Sequence, residues 1–192
     1  MRLREDIIYT SKGDETMGRI LIDLDSTFWN FMELAVEKYD KKYNTNLKLE
    51  DIKQYDIEPY IKCTKKEFFE LANKSMFNKL TPYPMAVEFI TWLKEKGYDI
   101  YFVTACATKT CEWRHDKLKE YIPWYDRKML IMCHDKYIID CDVVIDDCVE
   151  NLEKFSADVD KVVYTQPWNK NDDRFERIDS WQDWYDRLVR KD

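Results

Sequence analysis

Arg19-Ile20-Leu21-Ile22-Asp23-Leu24-Asp25-Ser26-Thr27 is the stretch from which the fold is read. Three bulky aliphatics follow an arginine and run into two aspartates spaced one residue apart, with a threonine two positions on. A short apolar run bounded by polar residues is the pattern of a strand buried on both faces. Carboxylates at the C-terminal end of such a strand stand where open α/β sheets bind ligands. Strand alternation points Asp23 and Asp25 to one side, so two negative charges converge on a small volume. That is costly unless a cation neutralises them or one carboxyl keeps its proton. On this stretch alone the pair also reads as helix caps ahead of Trp29, since Asp and Thr both cap well. The rest of the chain decides against that reading.

At 192 residues the chain can bury one full core and carry a modest insertion. Hydrophobic residues at 45% and aromatics at 15% mark it as globular rather than disordered. Only 3 glycines and 5 prolines argue against a turn-dense all-β fold. A net charge of −7 leaves no electrostatic footprint for duplex nucleic acid, so an anionic substrate would need locally placed cations. No apolar run of about 18 residues is present, and no membrane partner is expected. The first residues lack the apolar core of a signal peptide. Six cysteines without a short, loop-rich scaffold fit a reducing cytoplasm better than a disulfide framework. Cys106, Cys111, His115, Cys133 and His134 follow no paired zinc spacing and read as reduced thiols and ordinary histidines.

Residues 1–17 are polar and aperiodic, and read as an extension outside the fold. A strand over 19–23 and a helix from about Phe28 to Tyr39 follow. Residues 40–80 mix charged and aromatic side chains with weak periodicity, are too long for a simple loop, and read as a small helical cap. A helix from about Lys65 to Phe77 is expected within it. Pro84 and Gly97 bracket the next helix. Further strands are expected at 99–104, 129–133, 142–145 and 161–164, with a helix over roughly 110–121. Ser180 and Asp183 open a last helix whose stripe is Trp181, Trp184, Tyr185, Leu188 and Val189. Alternating strands and helices make this an α/β fold, a Rossmann-like parallel sheet with helices on both faces. The core comprises 18–39 and 81–192, with the cap inserted after the first strand-helix unit.

Four strand ends carry polar groups: Asp23 with Asp25, Thr104, Lys136, and Asp146 with Asp147. In a parallel sheet those ends share one edge, so the residues converge. Clustered carboxylates favour a hard, oxygen-seeking cation, and Mg²⁺ is the expected cofactor. Thr104 offers a hydroxyl and Lys136 a point charge suited to phosphate. Together they describe a phosphoryl-transfer site.

This ordered set resembles the haloacid dehalogenase superfamily of phosphohydrolases. Asp23-Leu24-Asp25-Ser26-Thr27 is similar to its first motif, Thr104 to its second, Lys136 to its third and Asp146-Asp147 to its fourth. Within the superfamily the likeness is greatest to the 5′(3′)-deoxyribonucleotidases. Asp135-Lys136 followed by Ile145-Asp146-Asp147 resembles their signature, as do Asn151-Leu152, Pro167-Trp168-Asn169 and Arg177-Ile178-Asp179-Ser180-Trp181. Ser26 stands where most relatives have Gly. The cap residues do not align by eye, and the leader has no family counterpart.

The resemblance implies that Asp23 is the nucleophile, forming an aspartyl-phosphate, and Asp25 the acid/base that protonates the leaving alkoxide and then activates water. Thr104 and Lys136 would bind the phosphate. The implied Mg²⁺ ligands are the Asp23 side chain, the Asp25 backbone carbonyl and the Asp146/Asp147 pair. Within that pair Asp147 is the favoured direct ligand, and Asp146 would act through water or as orienter. Phe31, eight residues past the nucleophile, lies where the nucleotidases place an aromatic against the base, although helix core is an equal reading. Phe68, Phe69 and Phe77 are the cap aromatics that could line the same pocket. The expected activity is Mg²⁺-dependent hydrolysis of (deoxy)nucleoside monophosphates by a cytoplasmic enzyme. Its partner is a small nucleotide, and a homodimer is the assembly considered. The alternatives are a phosphatase for another small phosphate ester and a non-catalytic nucleotide-binding module.

Overall fold

The computed structural model describes residues 17–189, so most of the expected leader lies outside the described residues. Six parallel strands run in the order β3-β2-β1-β4-β5-β6. They are β1 (Arg19–Asp23), β2 (Asp99–Thr104), β3 (Leu130–Met132), β4 (Val143–Asp146), β5 (Asp160–Tyr164) and β6 (Glu176–Ile178). The helices are α1 (Phe31–Tyr43), α2 (Lys65–Phe69), α3 (Lys74–Phe77), α4 (Ala86–Glu95), α5 (Thr108–Tyr121), α6 (Val149–Glu153) and α7 (Trp181–Val189).

The period-2 pattern of β1 divides its aliphatics between two faces. Leu21 packs with Val103, Val144, Val149 and Phe155 on one side. Ile20 and Ile22 pack on the other with Phe28, Phe89, Phe102 and Trp181. Ile22 lies opposite Phe102 and Ile145 in the two flanking ladders, so Asp23, Val103 and Asp146 stand at one level. The chain leaves β1 for β2 and β3 on one side and later returns to β4, β5 and β6 on the other. The strand order therefore reverses between β1 and β4, and such a switch point opens a crevice at the carboxyl edge.

Local chemistry explains the departures from the expected boundaries. Residues 28–30 form a tight loop instead of a first helical turn: Phe28 N donates to Leu24 O at 3.0 Å, and Ser26 N to Trp29 O at 3.0 Å. Asn30 Oδ1 accepts from Thr81 N at 2.9 Å instead of capping α1. The expected Lys65–Phe77 helix breaks in two because Asn73 turns extended and its side chain caps α3 through Met76 N at 3.1 Å. Thr64 and Glu67 close a capping box on α2. Helix α4 begins at Ala86 after a left-handed Met85, two residues beyond Pro84. Strand β6 is a short, charged edge strand, which produces no apolar run to read.

Between α1 and α4 the chain makes short helices and 3₁₀ turns that sit outside the sheet. Ile52, Ile57, Phe68, Met76 and Leu80 are buried there, continuous with the core on the α1 side.

Helix α7 anchors the C-terminal half to the loop after β1. Trp181 is fully buried, packs on Phe28 and Phe89, and donates from Nε1 to Thr27 O at 3.1 Å. Trp181→Ala should therefore cost about 3–5 kcal/mol, read from the urea midpoint at unchanged m. Trp181→Phe, which keeps a ring but loses that hydrogen bond, should cost about 1–2 kcal/mol. Equal losses in the two variants would mean that the hydrogen bond, not the ring, anchors the helix.

Candidate active site

Asp23 ends β1, Thr104 ends β2 and Asp146 ends β4, all at the carboxyl edge of the switch point. Lys136 reaches them from a 3₁₀ turn beyond β3. Its Nζ lies 2.5 Å from Asp23 Oδ1 and 2.6 Å from Asp146 Oδ2, with all three side chains buried. Burial works against the ammonium charge, but Asp146 and then Asp23 outweigh it and push the Lys136 pKa up. Asp23 is pushed up to about 7: burial is the largest cause, Lys136 opposes it, and Asp146 and Asp25 add to it.

Asp147 sits beside this trio. Thr27 Oγ1 donates to its Oδ1 at 3.2 Å, and Trp168 Nε1 donates to its Oδ2 at 3.0 Å. Burial first, then Asp23 and Asp146, hold its carboxyl well above the usual range. Asp146 is more fully engaged, taking Cys148 N at 2.8 Å, Asn151 Nδ2 at 3.2 Å and the Lys136 ammonium. Asp23, Asp146 and Asp147 bring carboxylate oxygens within 4.8 Å of one another. Three buried carboxylates against one ammonium form an under-compensated cluster of oxygen donors, which fits a hard divalent cation.

Asp25 stands apart from that cluster. The strand ends at Asp23 and the chain turns, so Asp25 leaves the carboxylate trio but stays close enough to add to the charge that raises Asp23. Trp29 Nε1 donates to Asp25 Oδ1 at 3.0 Å, and Arg114 Nε to the same oxygen at 3.3 Å. Arg114 Nη2 also pairs with Asp25 Oδ2. Burial opposes the guanidinium charge, but Asp25 outweighs it and pushes the Arg114 pKa up.

A cavity of about 510 Å³ opens over these groups. Asp23, Asp25, Thr104, Lys136 and Asp147 form its floor, and Phe31, Tyr55 and Phe69 contribute to its wall. A family model described as "5' nucleotidase, deoxy (Pyrimidine), cytosolic type C protein" matches residues 17–192. The chain belongs to this family. It is 34% identical over 167 residues to a 5'(3')-deoxyribonucleotidase of Clostridium acetobutylicum, covering 86% of this chain and 89% of that one. It is 30% identical over 172 residues to a putative 5'(3')-deoxyribonucleotidase of Staphylococcus epidermidis, covering 88% and 94%. Among solved structures, a haloacid dehalogenase-like protein from Agrobacterium tumefaciens superposes with a TM-score of 0.62 at 10% identity, over 90% of this chain and 98% of that one. The hydrolase YfnB of Bacillus subtilis, solved bound to magnesium, gives 0.57 at 13% identity, over 89% and 98%. These structural likenesses speak for the fold. The family makes the chain a haloacid-dehalogenase-type phosphoric monoester hydrolase.

In this deoxyribonucleotidase relative the expected substrate-side aromatics divide. Phe31 and Phe69 line the cavity, with Phe69 40% exposed and Phe31 only 5%. Phe68 and Phe77 are buried outside its lining: Phe68 packs on Tyr39, and Phe77 on Trp113. Arg114 was invisible to sequence reasoning, because a lone arginine on a charged helix reads as a solvated face. Trp29 fell within the helix expected from about Phe28 and carried no role. Asn151 and Trp168 lay within the family pattern, but without roles.

A hydrogen-bonded chain supports the loop after Asp25. Ser26 has φ +67°, a left-handed conformation that glycine adopts freely and serine at a cost of roughly 1–2 kcal/mol. Its carbonyl accepts from Gln166 Nε2 at 2.6 Å, Gln166 Nε2 also donates to Tyr83 Oη at 3.0 Å, and Tyr83 Oη donates to Glu33 Oε1 at 2.7 Å. Glu33 Oε2 is buried without a hydrogen-bond partner among the described residues. Burial is the main cause raising the Glu33 carboxyl above its ordinary 4.5, with the Tyr83 bond opposing. A carboxyl raised on folding stabilises least once ionised, so this contribution falls as pH climbs from 4.5 through the raised value. Glu33→Gln keeps an acceptor for Tyr83 and removes the charge. Its melting temperature should exceed that of the parent at pH 8, and the gain should vanish near pH 4. A gain independent of pH would show that Glu33 does not titrate in this way.

Proposed function

We propose that this chain is a Mg²⁺-dependent phosphatase of (deoxy)nucleoside monophosphates, working in the cytoplasm through an aspartyl-phosphate on Asp23. The observation that carries this reading is the buried Asp23–Lys136–Asp146 trio on the floor of the 510 Å³ cavity, with Asp147 beside it. Support for the substrate class comes from relatives named 5'(3')-deoxyribonucleotidase along nearly their whole length. The six cysteines, all free, suit a reducing compartment.

Asp23, Asp147 and the Asp25 carbonyl would hold the cation, which supplies charge neutralisation on the phosphoryl oxygens when bound. Asp147 suits direct ligation better than Asp146, because neutral donors alone occupy its oxygens whereas Asp146 already holds the Lys136 ammonium. Lys136 keeps its charge beside the nucleophile, screening a carboxylate from an incoming phosphate dianion. Thr104 contributes a hydroxyl at the phosphate position. Asp23 attacks phosphorus as the ester P–O bond breaks, and Asp25 gives its proton to the leaving alkoxide. Water then attacks the aspartyl-phosphate, its proton passes to Asp25, and the acyl phosphate P–O bond breaks to free phosphate and Asp23.

The central experiment is a phosphate-release screen over nucleotides and sugar phosphates, with Mg²⁺ and with chelator. Nucleoside monophosphates should be turned over in Mg²⁺ alone, and Asp23→Asn should abolish turnover while keeping the fold. Because it removes one of the crowded charges, Asp23→Asn should also melt no lower than the parent without metal. Activity above a few per cent in this variant would overturn the aspartyl-phosphate route.

Phe69 supplies an exposed ring of the cavity wall and lies 6.4 Å from Phe31 in a near-parallel pair. Stacking of a base on an aromatic ring is worth roughly 1–3 kcal/mol. Phe69→Ala should raise KM for nucleotides about tenfold, leave p-nitrophenyl phosphate unchanged and barely move the melting temperature. Phe31→Ala should instead lower the melting temperature and harm both substrates, since that ring is packed by Phe69, Phe77 and Arg114. The opposite assignment of these outcomes would make Phe31 the base-stacking ring.

A further inference from the structure

Asp25 receives three side-chain donors from two residues that the phosphatase reaction itself does not call on. Trp29 Nε1 and Arg114 Nε both end on Oδ1, at 3.0 and 3.3 Å, and Arg114 Nη2 ends on Oδ2. A carboxylate offers about four acceptor positions, two on each oxygen. Among the described residues Oδ1 is therefore filled, and Oδ2 keeps one position open.

Neither arm of this clamp is free to reorient. Arg114 Nη1 donates to Thr110 Oγ1 at 2.7 Å and to Thr110 O at 3.2 Å. Its guanidinium lies 4.8 Å from the Phe77 ring centre and 5.6 Å from that of Phe31, and the residue is 3% exposed. Trp29 is fully buried, edge-on to Phe28 at 5.8 Å, and its backbone bridges to Pro82. Trp29 does not line the cavity, whereas Asp25 and Arg114 do. A carboxylate that must pass one proton at a set place gains from such a hold, because proton transfer is sensitive to sub-ångström placement.

From this geometry we infer that Trp29 and Arg114 are positioning residues that fix Asp25 so that Oδ2 alone exchanges the proton with the leaving oxygen and with water. The inference rests on the acid/base role proposed for Asp25, and it names the atom that acts and the residues that aim it. Arg114 and Trp29 take no proton in either step.

The leaving group provides the test. An alkoxide needs a proton as it departs, whereas p-nitrophenolate does not, and kcat/KM reports on that first transfer. In Mg²⁺, Trp29→Phe should lower kcat/KM for a deoxynucleoside 5′-monophosphate about tenfold or more. On p-nitrophenyl phosphate it should change by no more than about twofold. Asp25→Asn, measured alongside, should give the same discrimination more strongly. Should Trp29→Phe fail to fold, Arg114→Lys, which keeps the charge but loses the two-point hold, is read in the same way. Equal losses on both substrates in the Trp29 or Arg114 variant, with discrimination intact in Asp25→Asn, would overturn the positioning role alone. Absence of discrimination in Asp25→Asn would instead overturn the acid/base role on which it rests.

Discussion

Three buried carboxylates around a single ammonium are the constraint on which this molecule turns. Asp23, Asp146 and Asp147 come within 4.8 Å of one another, and among the described residues Lys136 balances them from within. Taking such charges out of water is costly, and one ion pair repays it only with good geometry and further hydrogen bonds. The surrounding donors supply those bonds: Thr27 and Trp168 to Asp147, and Cys148 and Asn151 to Asp146. What remains uncompensated shows as a raised carboxyl on Asp23, pushed up to about 7, and on Asp147. A cavity floor that has already desolvated Asp23 and kept an ammonium beside it suits the dianionic phosphate of the proposed reaction.

The sheet makes that arrangement possible. Parallel ladders place the ends of β1 and β4 side by side, so Asp23 and Asp146 meet although they stand 123 positions apart in the chain. The loop after β1 is then tied down from distant parts of the chain. Gln166 holds the Ser26 carbonyl, Trp181 holds that of Thr27, and Thr27 in turn holds Asp147. A serine at φ +67° persists here because the structure around it leaves no cheaper conformation.

Two aspartates spaced one residue apart end in different surroundings. Asp23 faces an ammonium and two carboxylates, and Asp25 faces an indole N–H and a guanidinium. Environment, not residue type, separates their chemistry. The wall above them draws on the segment between α1 and α4, where Tyr55 and Phe69 turn toward the cavity while Phe68 and Phe77 complete the core.

By itself the sequence determined the parallel α/β architecture, the order of the site residues along it and the family. Apolar runs ending in Asp23, Thr104 and Asp146 are local patterns, and their convergence follows from topology alone. Strand β6, the split between α2 and α3, and the late start of α1 were not legible. Strand β6 is a short, charged edge strand with no apolar run, and the other two depend on a side chain being used elsewhere, Asn73 as a cap and Asn30 on Thr81. Only the tertiary structure decided that Arg114 and Trp29 close on Asp25, and which cap phenylalanines reach the cavity. Helical spacing says which face a residue occupies, but not what opposes it across 89 residues of chain, and that opposing group sets both its charge and its role.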